Sequence, residues 1–313
     1  MIYVEMLGLM GNQMFSYAFA RCLQLKYYNK DKIVFELENS EHKHKGNLLA
    51  QYVCGEQIEV GHRKLSIFQR AMLWIYFKRR YSPKGPGRQY TTKLYDFEKR
   101  WADIMSLFGV YCFTNGYHPF KYHTIFKNKL CMGYFESPRF FSEYDSIIRS
   151  DFDISDGNLG SDARLLINGI SQNEVTIGMG YSGAFTKSEL RGVCTIEYYC
   201  NAIDYIVGKC KEQGINPVVY IFSDGVCEEE ILRVLRCDIR FELVNSEQYH
   251  LTSAEKCVCM SKCNHFIISN STFEWWAQHL SDSSEKIVIA PKKWRNESRE
   301  MWKDIYEDNF ILM

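Results

Sequence analysis

A regular alternation of short apolar strands and helical segments in the second half of the chain constrains its fold more than any other feature. Each strand is a run of mostly apolar residues, followed by a polar joint and then by apolar residues at helical spacing. This order predicts an α/β domain with a doubly wound parallel sheet, because each crossover helix covers one face of that sheet. The predicted strands are Val175–Met179, Pro217–Phe222, Arg240–Val244, His265–Ile268 and Lys286–Ala290, and the predicted helices are Ile196–Cys210, Val226–Leu235, Ser253–Cys263 and Ser271–Leu280.

The opening of the chain shows the same pattern once. A strand at Ile2–Met6 is followed by a glycine turn, by a helix at Asn12–Tyr28 with Asn12 as its N-cap, and by a strand at Lys32–Glu36. Residues 38–130 show no clean period. Because 313 residues exceed what one small core needs, we predict two α/β domains, covering residues 1–165 and 166–313.

Charge and cysteine content disfavour several classes of protein. The 38 basic and 38 acidic residues balance, whereas a nucleic-acid-binding chain usually carries a basic excess, so we expect no nucleic-acid partner. The opening residues indicate a strand and not a signal peptide, and the 12 cysteines are scattered. We therefore predict a cytoplasmic protein with reduced thiols. Cys257, Cys259 and Cys263 lack the usual spacing of zinc ligands, and we expect no metal.

One segment bears on membrane contact. No run approaches the roughly 20 apolar residues that cross a bilayer, and Phe68–Phe77 comes nearest. Arg63 and Lys64 precede this run, and three basic residues, 78–80, follow it. A basic-flanked amphipathic helix can lie on an anionic membrane surface, and it can equally be a core helix with a solvated basic end. Both interpretations stay open, and residues 62–81 are the candidate peripheral contact with the inner membrane surface.

Ligands of doubly wound sheets bind at the carboxyl ends of the strands, so the strand-to-helix joints are the candidate sites. In the first joint, Gly8–Gln13, two glycines permit a ligand to approach closely, and the helix start offers free N–H groups to an anion. The same residues also suit a plain turn. After the strand Pro217–Phe222, Ser223 and Asp224 could hold a ribose or a guanine edge, or could cap a helix.

Two further joints complete the predicted edge of the C-terminal sheet. Ser269–Thr272 places four small polar residues before a helix, where backbone N–H groups and hydroxyls together suit a pyrophosphate. Plain capping would use the same residue types. The joint after Val175–Met179, residues 180–185, is small, flexible and uncharged.

Several segments carry recognisable motifs. Gly8–Phe15 continuing into Tyr17–Arg21 is similar to GGLGNQMFQYAFAR, with Leu9 in place of a glycine. The other recognisable segments are Gly133–Ser137 (similar to GYFQS), Gly192–Tyr199 (GVCxxEYY), Ile221–Asp224 (FSDD, with Gly225 in place of the second Asp), Met260–Trp276 (MSxCKHxIISNSTFSWW) and Val288–Trp294 (VxxPxxW). Together these segments resemble glycosyltransferase family 11, the α-1,2-fucosyltransferases, over residues 2–294.

The resemblance implies a GT-B-like fold of two Rossmann-like domains. The N-terminal domain would hold mainly the acceptor, and the C-terminal domain would bind the sugar nucleotide. It implies transfer of L-fucose from GDP-fucose to a galactose 2-hydroxyl of a surface glycan, with inversion and without an essential metal. The expected partners are therefore a sugar nucleotide and a glycan acceptor, and no cofactor is expected.

One departure from the family pattern concerns the HxRRxD motif. This chain has Gly178–Gly183 at that place, without the His, the arginines or the Asp. An arginine there would stabilise the departing β-phosphate, and such electrostatic stabilisation is often worth several kcal/mol. Glu274, where the family usually has Ser, could act as a general base or could reject a second phosphate. The candidate replacement cations are Arg21, Lys187, Arg191, Lys256 and Lys293.

Three hypotheses follow: a working fucosyltransferase, a relative with a changed sugar-nucleotide donor, and a non-catalytic relative that binds or scaffolds glycans. A nicotinamide-dependent dehydrogenase is disfavoured because no GxGxxG follows a strand. The candidate catalytic residues are Asn12 and Glu274, and the candidate donor-binding residues are Gly11, Gln13, Gly178, Gly180, Tyr181, Ser223, Asp224, Asn270, Ser271 and Thr272.

Overall fold

The computed structural model describes residues 1–37, 46–87, 91–114, 116–121, 123–182, 192–223, 229, 232, 235, 239–296 and 302–313. They divide into an N-terminal unit, Met1–Asp153 with Glu297–Tyr306, and a C-terminal unit, Ile154–Asn296 with Glu307–Met313. The sequence pattern places the boundary between residues 165 and 166, whereas the first unit runs to Asp153 and includes a late segment of the chain.

The N-terminal unit is built on a parallel sheet, called sheet 1, with the strand order β3-β2-β1-β5-β4. Its elements are β1 (Ile2–Glu5), α1 (Met10–Tyr27), β2 (Ile33–Glu36), β3 (Ile58–Val60), α2 (Ile67–Arg80), α3 (Thr92–Leu107), β4 (Val110–Phe113), β5 (Lys129–Gly133) and α4 (Asp145–Asp151).

The C-terminal unit is built on a second parallel sheet, called sheet 2, with the strand order β11-β10-β9-β6-β7-β8. Its elements are α5 (Ser161–Ser171), β6 (Thr176–Tyr181), α6 (Ile196–Glu212), β7 (Val218–Ser223), β8 (Arg240–Val244), α7 (Ser253–Ser261), β9 (His265–Ile267), α8 (Thr272–His279), β10 (Val288–Ala290) and β11 (Phe310–Leu312). The predicted α/β architecture with two parallel sheets is confirmed.

The central strands of sheet 2 are buried along their whole length, as helices on both faces require. On one face of β6, Ile177 and Met179 join a core cluster with residues of α6. On the other face, Gly178 and Gly180 let α7 and α8 come close. A Cβ added to Gly178 would lie 3.3 Å from Cys263, a contact that leaves little room for a side chain.

Some element boundaries differ from the sequence prediction. Asn12 was predicted as the N-cap of α1, but this is wrong, because the N-cap is Leu9 and no side chain caps the helix. Gly8, at φ 70°, completes the turn earlier than the pattern indicates. β6 continues to Tyr181, so residues 180 and 181 belong to the strand and not to a flexible joint. Lys286–Ala290 is not the last strand, since β11 follows it. The predicted helix Val226–Leu235 falls largely outside the described residues.

Within the described part of the chain, no helix combines the length and the apolar content needed to cross a membrane.

Candidate functional site

The strand order of sheet 2 reverses between β6 and β9. Counted from β6, the order is the 3-2-1-4-5-6 arrangement of dinucleotide-binding sheets. Ligands of such sheets bind outside the carboxyl ends of the strands at the reversal, because the two adjoining crossovers leave in opposite directions there. The residues that follow β6 and β9 are therefore candidates for ligand binding.

The segment after β9 carries small polar groups into the start of α8. Ser269 and Asn270 are buried, whereas Ser271 and Thr272 are partly exposed. Ser271 is the N-cap residue of α8, yet its hydroxyl makes no capping hydrogen bond to the helix. The plain-capping interpretation therefore does not describe Ser271. The N-terminus of α8 presents backbone N–H groups, the partial positive charge of the helix and an uncommitted hydroxyl to an anion.

Glu274, in the first turn of α8, is buried and folds back on this segment. Its carboxylate accepts hydrogen bonds from the backbone N–H of Ser269 and, at 2.9 Å, from the Ser269 hydroxyl. A Cβ added to Gly180 would lie 1.9 Å from the Glu274 carboxyl carbon. The glycine on β6 and the carboxylate on α8, both of them departures from the family pattern described above, are therefore in direct contact.

At the end of β7, Ser223 adds a polar group to this edge. It pairs in register with Tyr181 of the neighbouring strand, and it is buried. Among the described residues, its hydroxyl has no hydrogen-bond partner. Buried polar groups are nearly always satisfied, so this hydroxyl has its partner outside the described residues, either in another part of the chain or in a ligand. Asp224, predicted beside it, lies outside the described residues.

Two of the predicted donor-binding residues on β6 have packing roles. Tyr181 is buried, and its ring centroid lies 5.0 Å from that of Tyr199 on the α6 face. Gly178 lies inside the sheet against Cys263. The structure thus brings Gly180, Ser223, Asn270, Ser271, Thr272 and Glu274 to one edge of sheet 2, and it places Tyr181 and Gly178 in the core beside them.

Two residues that support this edge were not assigned a role from the sequence. The hydroxyl of Tyr198 donates to the carbonyls of Ile268, at 2.6 Å, and Ile289, at 3.2 Å, so it ties together the ends of β9 and β10. The thiol of Cys194 donates to the Asn270 side-chain oxygen at 3.9 Å. Burial raises the pKa of the Cys194 thiol to about 12, so the group stays protonated and keeps donating. Both residues belong to the GVCxxEYY-like segment, which was the available signal.

The joint after β1 has a different construction. The side chain of Asn12 covers Gly8, where an added Cβ would lie 2.2 Å from the Asn12 amide nitrogen. The Gln13 side chain is buried and holds a loop, because its amide accepts from Leu48 N–H at 3.0 Å and donates to the Gly46 carbonyl at 3.4 Å. Gly11 is buried within α1. Gln13 thus has hydrogen-bond partners within the N-terminal unit, and the donor-binding role of Gly11 and Gln13 stays a prediction.

Charged groups close the carboxyl edge of sheet 1. Glu5 and Glu36 end the paired strands β1 and β2, and Arg63 lies between them, 3.3 Å from one carboxylate and 2.7 Å from the other. Burial raises the pKa of Glu5, while Arg63 opposes that rise. The charged groups at this edge therefore pair with one another.

The candidate replacement cations differ in their position and in their ion pairing. Arg21 pairs with Asp151 at 2.8 Å in the N-terminal unit and is committed there. Lys293 is exposed just after β10, the neighbour of β9, so it lies at the carboxyl edge of sheet 2. Lys256 lies in the first turn of α7, and Lys187 and Arg191 lie outside the described residues. Over the residues that the structure describes, no three His, Cys, Asp or Glu side chains group as a metal site.

Comparison with known proteins gives a match over the whole chain. The model of glycosyl transferase family 11 matches residues 1–313. An O-antigen biosynthesis glycosyltransferase, WbnK, of Escherichia coli is 25% identical over 315 residues, which cover 94% of each chain. An α-1,2-colitosyltransferase of the same organism is 28% identical over 171 residues, covering 52% of this chain and 55% of its own.

Solved structures with a similar course of the chain are distant in sequence. The fucosyltransferase NodZ from Bradyrhizobium is 10% identical with a TM-score of 0.49, covering 89% of this chain and 92% of its own. A family 9 glycosyl transferase from Veillonella parvula is 12% identical with a TM-score of 0.48, covering 100% of this chain and 86% of its own.

Proposed function

The chain belongs to glycosyl transferase family 11, and we propose that it transfers L-fucose from GDP-fucose to the 2-hydroxyl of a galactose in a surface glycan, with inversion. The observation that carries the proposal is the carboxyl edge of sheet 2 beside the strand reversal. There the Ser271 hydroxyl makes no capping hydrogen bond, and the buried Ser223 hydroxyl has no hydrogen-bond partner among the described residues. Transfer from a sugar nucleotide needs a site for a pyrophosphate at such an edge.

In this proposal the donor diphosphate lies at the N-terminus of α8. Backbone N–H groups and the hydroxyls of Ser271 and Thr272 bind the oxygens of the diphosphate, and the Asn270 side chain orients it. The Ser223 hydroxyl, with Asp224, binds the nucleoside. The α8 N-terminus and Lys293 supply positive charge to the departing phosphate in place of the absent arginines, and no metal takes part.

We assign Glu274 the task of holding the donor segment. Both carboxylate oxygens are engaged by Ser269, and this favours positioning over proton transfer. Asn12 stays a proposed catalytic residue, as a polar side chain that assists the donor phosphates.

A second candidate is the same reaction with a different sugar nucleotide. Its basis is the contact between Gly180 and Glu274, which puts a carboxylate beside the proposed phosphate position. A carboxylate there, where the family pattern has a cationic motif, changes the electrostatics of the donor pocket and so bears on which sugar nucleotide it accepts. The relative named as an α-1,2-colitosyltransferase adds support, because its name specifies a donor sugar other than fucose.

Calorimetric titration with a panel of donors separates these candidates. GDP-fucose, GDP and several UDP-sugars are titrated into the protein with and without Mg²⁺, and every donor that binds is then incubated with β-galactosides. We expect metal-independent binding of GDP and GDP-fucose and an α-1,2-linked product, identified by NMR. Binding of another sugar nucleotide alone would support the second candidate. Binding without turnover would support a non-catalytic glycan-binding relative and overturn both.

A further inference from the structure

Helix α2 exposes a broad apolar face. Ile67, Phe68 and Trp74 are 77%, 64% and 62% exposed, and Ile75 is 38% exposed. At about 100° per residue these four side chains fall on one side of the helix. The opposite side is buried, with Tyr76 in a core cluster beside residues of α3 and β4. The helix therefore packs on the core through one face and leaves a second apolar face in solvent.

Positive charge surrounds this face. Residues 60–95 contain no Asp and no Glu, although the whole chain has 38 acidic and 38 basic residues. The cations Lys64, Arg70, Lys78 and Arg79 are exposed, and in the described part of the chain none of them forms an ion pair. The Lys78 ammonium lies 4.6 Å from the centre of the Trp74 ring. The apolar face and the unpaired cations thus form one continuous surface.

We propose that the exposed face of α2 docks on an anionic membrane surface. The apolar side chains would enter the boundary between headgroups and acyl chains, and the cations would contact lipid phosphates. Each basic residue near an anionic bilayer contributes about 1 kcal/mol, roughly a fivefold gain in binding. Trp74 and Lys78 each have an apolar part and a polar end, and Lys78 lies over the Trp74 ring. Such side chains suit the boundary between the lipid headgroups and the acyl chains.

Charge complementarity favours a bilayer, and not a second copy of the chain, as the partner of the exposed face of α2. A symmetric dimer through α2 would place the same patch on both subunits. The unpaired cations would then face each other without an acid in residues 60–95 to pair with them. An anionic lipid surface satisfies the apolar groups and the cations at once. Packing on the core explains why one face of α2 is apolar, and membrane docking explains the apolar side chains of its exposed face.

Vesicle sedimentation tests the proposal. The intact protein is mixed with vesicles of phosphatidylcholine alone or of phosphatidylcholine with phosphatidylglycerol, at low and at high salt. We expect binding to the anionic vesicles only, weakened by salt because screening shortens the range of the attraction. No binding to anionic vesicles at low salt would overturn the proposal.

Matched pairs of variants assign the binding to α2. Lys78→Glu/Arg79→Glu is compared with Lys30→Glu/Lys262→Glu, which makes the same charge change at exposed positions elsewhere. Phe68→Ser/Trp74→Ser is compared with Ile125→Ser/Leu165→Ser, which removes exposed apolar groups elsewhere. We expect each α2 variant to lose at least about tenfold in partitioning and each control to keep it.

Two outcomes contradict the assignment. Equal losses in the controls would mean that overall charge or hydrophobicity drives binding. A concentration-dependent dimer that Phe68→Ser/Trp74→Ser abolishes, with vesicle binding unchanged, would assign the face to a second copy. Circular dichroism of each variant, and transfer to a soluble acceptor, check that the fold is kept, since α2 carries no part of the proposed donor site.

Discussion

The carboxyl edges of sheet 1 and sheet 2 end the same kind of parallel sheet, yet they carry different groups. At sheet 1, Arg63 joins Glu5 and Glu36, and Arg80 approaches buried Glu98. At sheet 2, hydroxyls and amides follow the strands, and Ser223 has no partner among the described residues. The first edge pairs its charged groups with one another, since Oε2 of Glu36 lies 2.7 Å from the Arg63 guanidinium, although this oxygen makes no geometrically acceptable hydrogen bond. The second edge carries uncharged polar groups at the start of a helix. A hydroxyl that has neither a hydrogen-bond partner nor a neighbouring charge among the described residues therefore indicates a candidate site better than a charged edge does.

The change that should cost the most stability lies at the charged edge of sheet 1. In Arg80→Ala, the Glu98 carboxylate loses the cation 3.6 Å away while staying buried. Removing one partner of a buried pair typically costs about 3–5 kcal/mol of unfolding free energy. Urea unfolding measures it. Lys32→Ala, which breaks an exposed pair with Glu59, is the control and should cost no more than about 1 kcal/mol. Equal small losses would contradict the buried pairing of Arg80 with Glu98 at the edge of sheet 1.

The next effect tests the contact between β6 and α8. Gly180→Ala puts a methyl group into the Glu274 carboxylate and should cost about 1–3 kcal/mol of unfolding free energy. In the background of Glu274→Ser the same change should cost much less, because the shorter side chain vacates the space. Gly208→Ala serves as control, since nothing lies within 4 Å of its added Cβ. Additive losses in the double variant would contradict the contact.

A smaller effect distinguishes ligand binding from stability. Ser223→Ala removes a hydroxyl that has no partner within the described residues, so unfolding free energy should hardly change. Donor affinity, by calorimetry, should fall by about 0.5–1.5 kcal/mol, the usual worth of one hydrogen bond. Ser281→Ala is the counterpart, because its hydroxyl donates to the Cys263 carbonyl at 3.2 Å. It should lose stability and keep donor affinity, and the reverse pattern would refute the assignment.

The weakest of these effects is a pH dependence of the unfolding free energy, caused by His265 at the amino end of β9. Burial lowers the pKa of His265 below its ordinary value of 6.5, and its neutral Nδ1 accepts from Ile287 N–H at 3.1 Å. The unfolded chain therefore takes up the proton first, so this residue's contribution is present above pH 6.5 and is lost as pH falls through that value. His265→Asn should flatten the stability profile between about pH 7 and 5.5. An unchanged slope would contradict it.

The sequence predicts sheet 2 well because its strands are buried apolar runs separated by regular helices. Of sheet 1 it predicts β1, α1 and β2, and it indicates a helix within α2. It does not predict β3, α3, β4 or β5, because residues 38–130 show no clean period. At the site, the residue types of Ser223 and Ser269–Thr272 are readable from their joints. The contact of Glu274 with Gly180 is not, because the two residues are distant in the sequence and meet only through packing of α8 on β6.

Hydrogen exchange with and without GDP-fucose tests most directly whether the edge of sheet 2 is the donor site. In the wild-type protein without metal, we expect the donor to slow amide exchange in Ile267–Trp276 and Ser223→Ala to weaken this protection. Peptides that cover Ile2–Gln13 at the edge of sheet 1 should change less. Protection confined to the edge of sheet 1, or no protection at saturating donor, would refute the donor site at sheet 2.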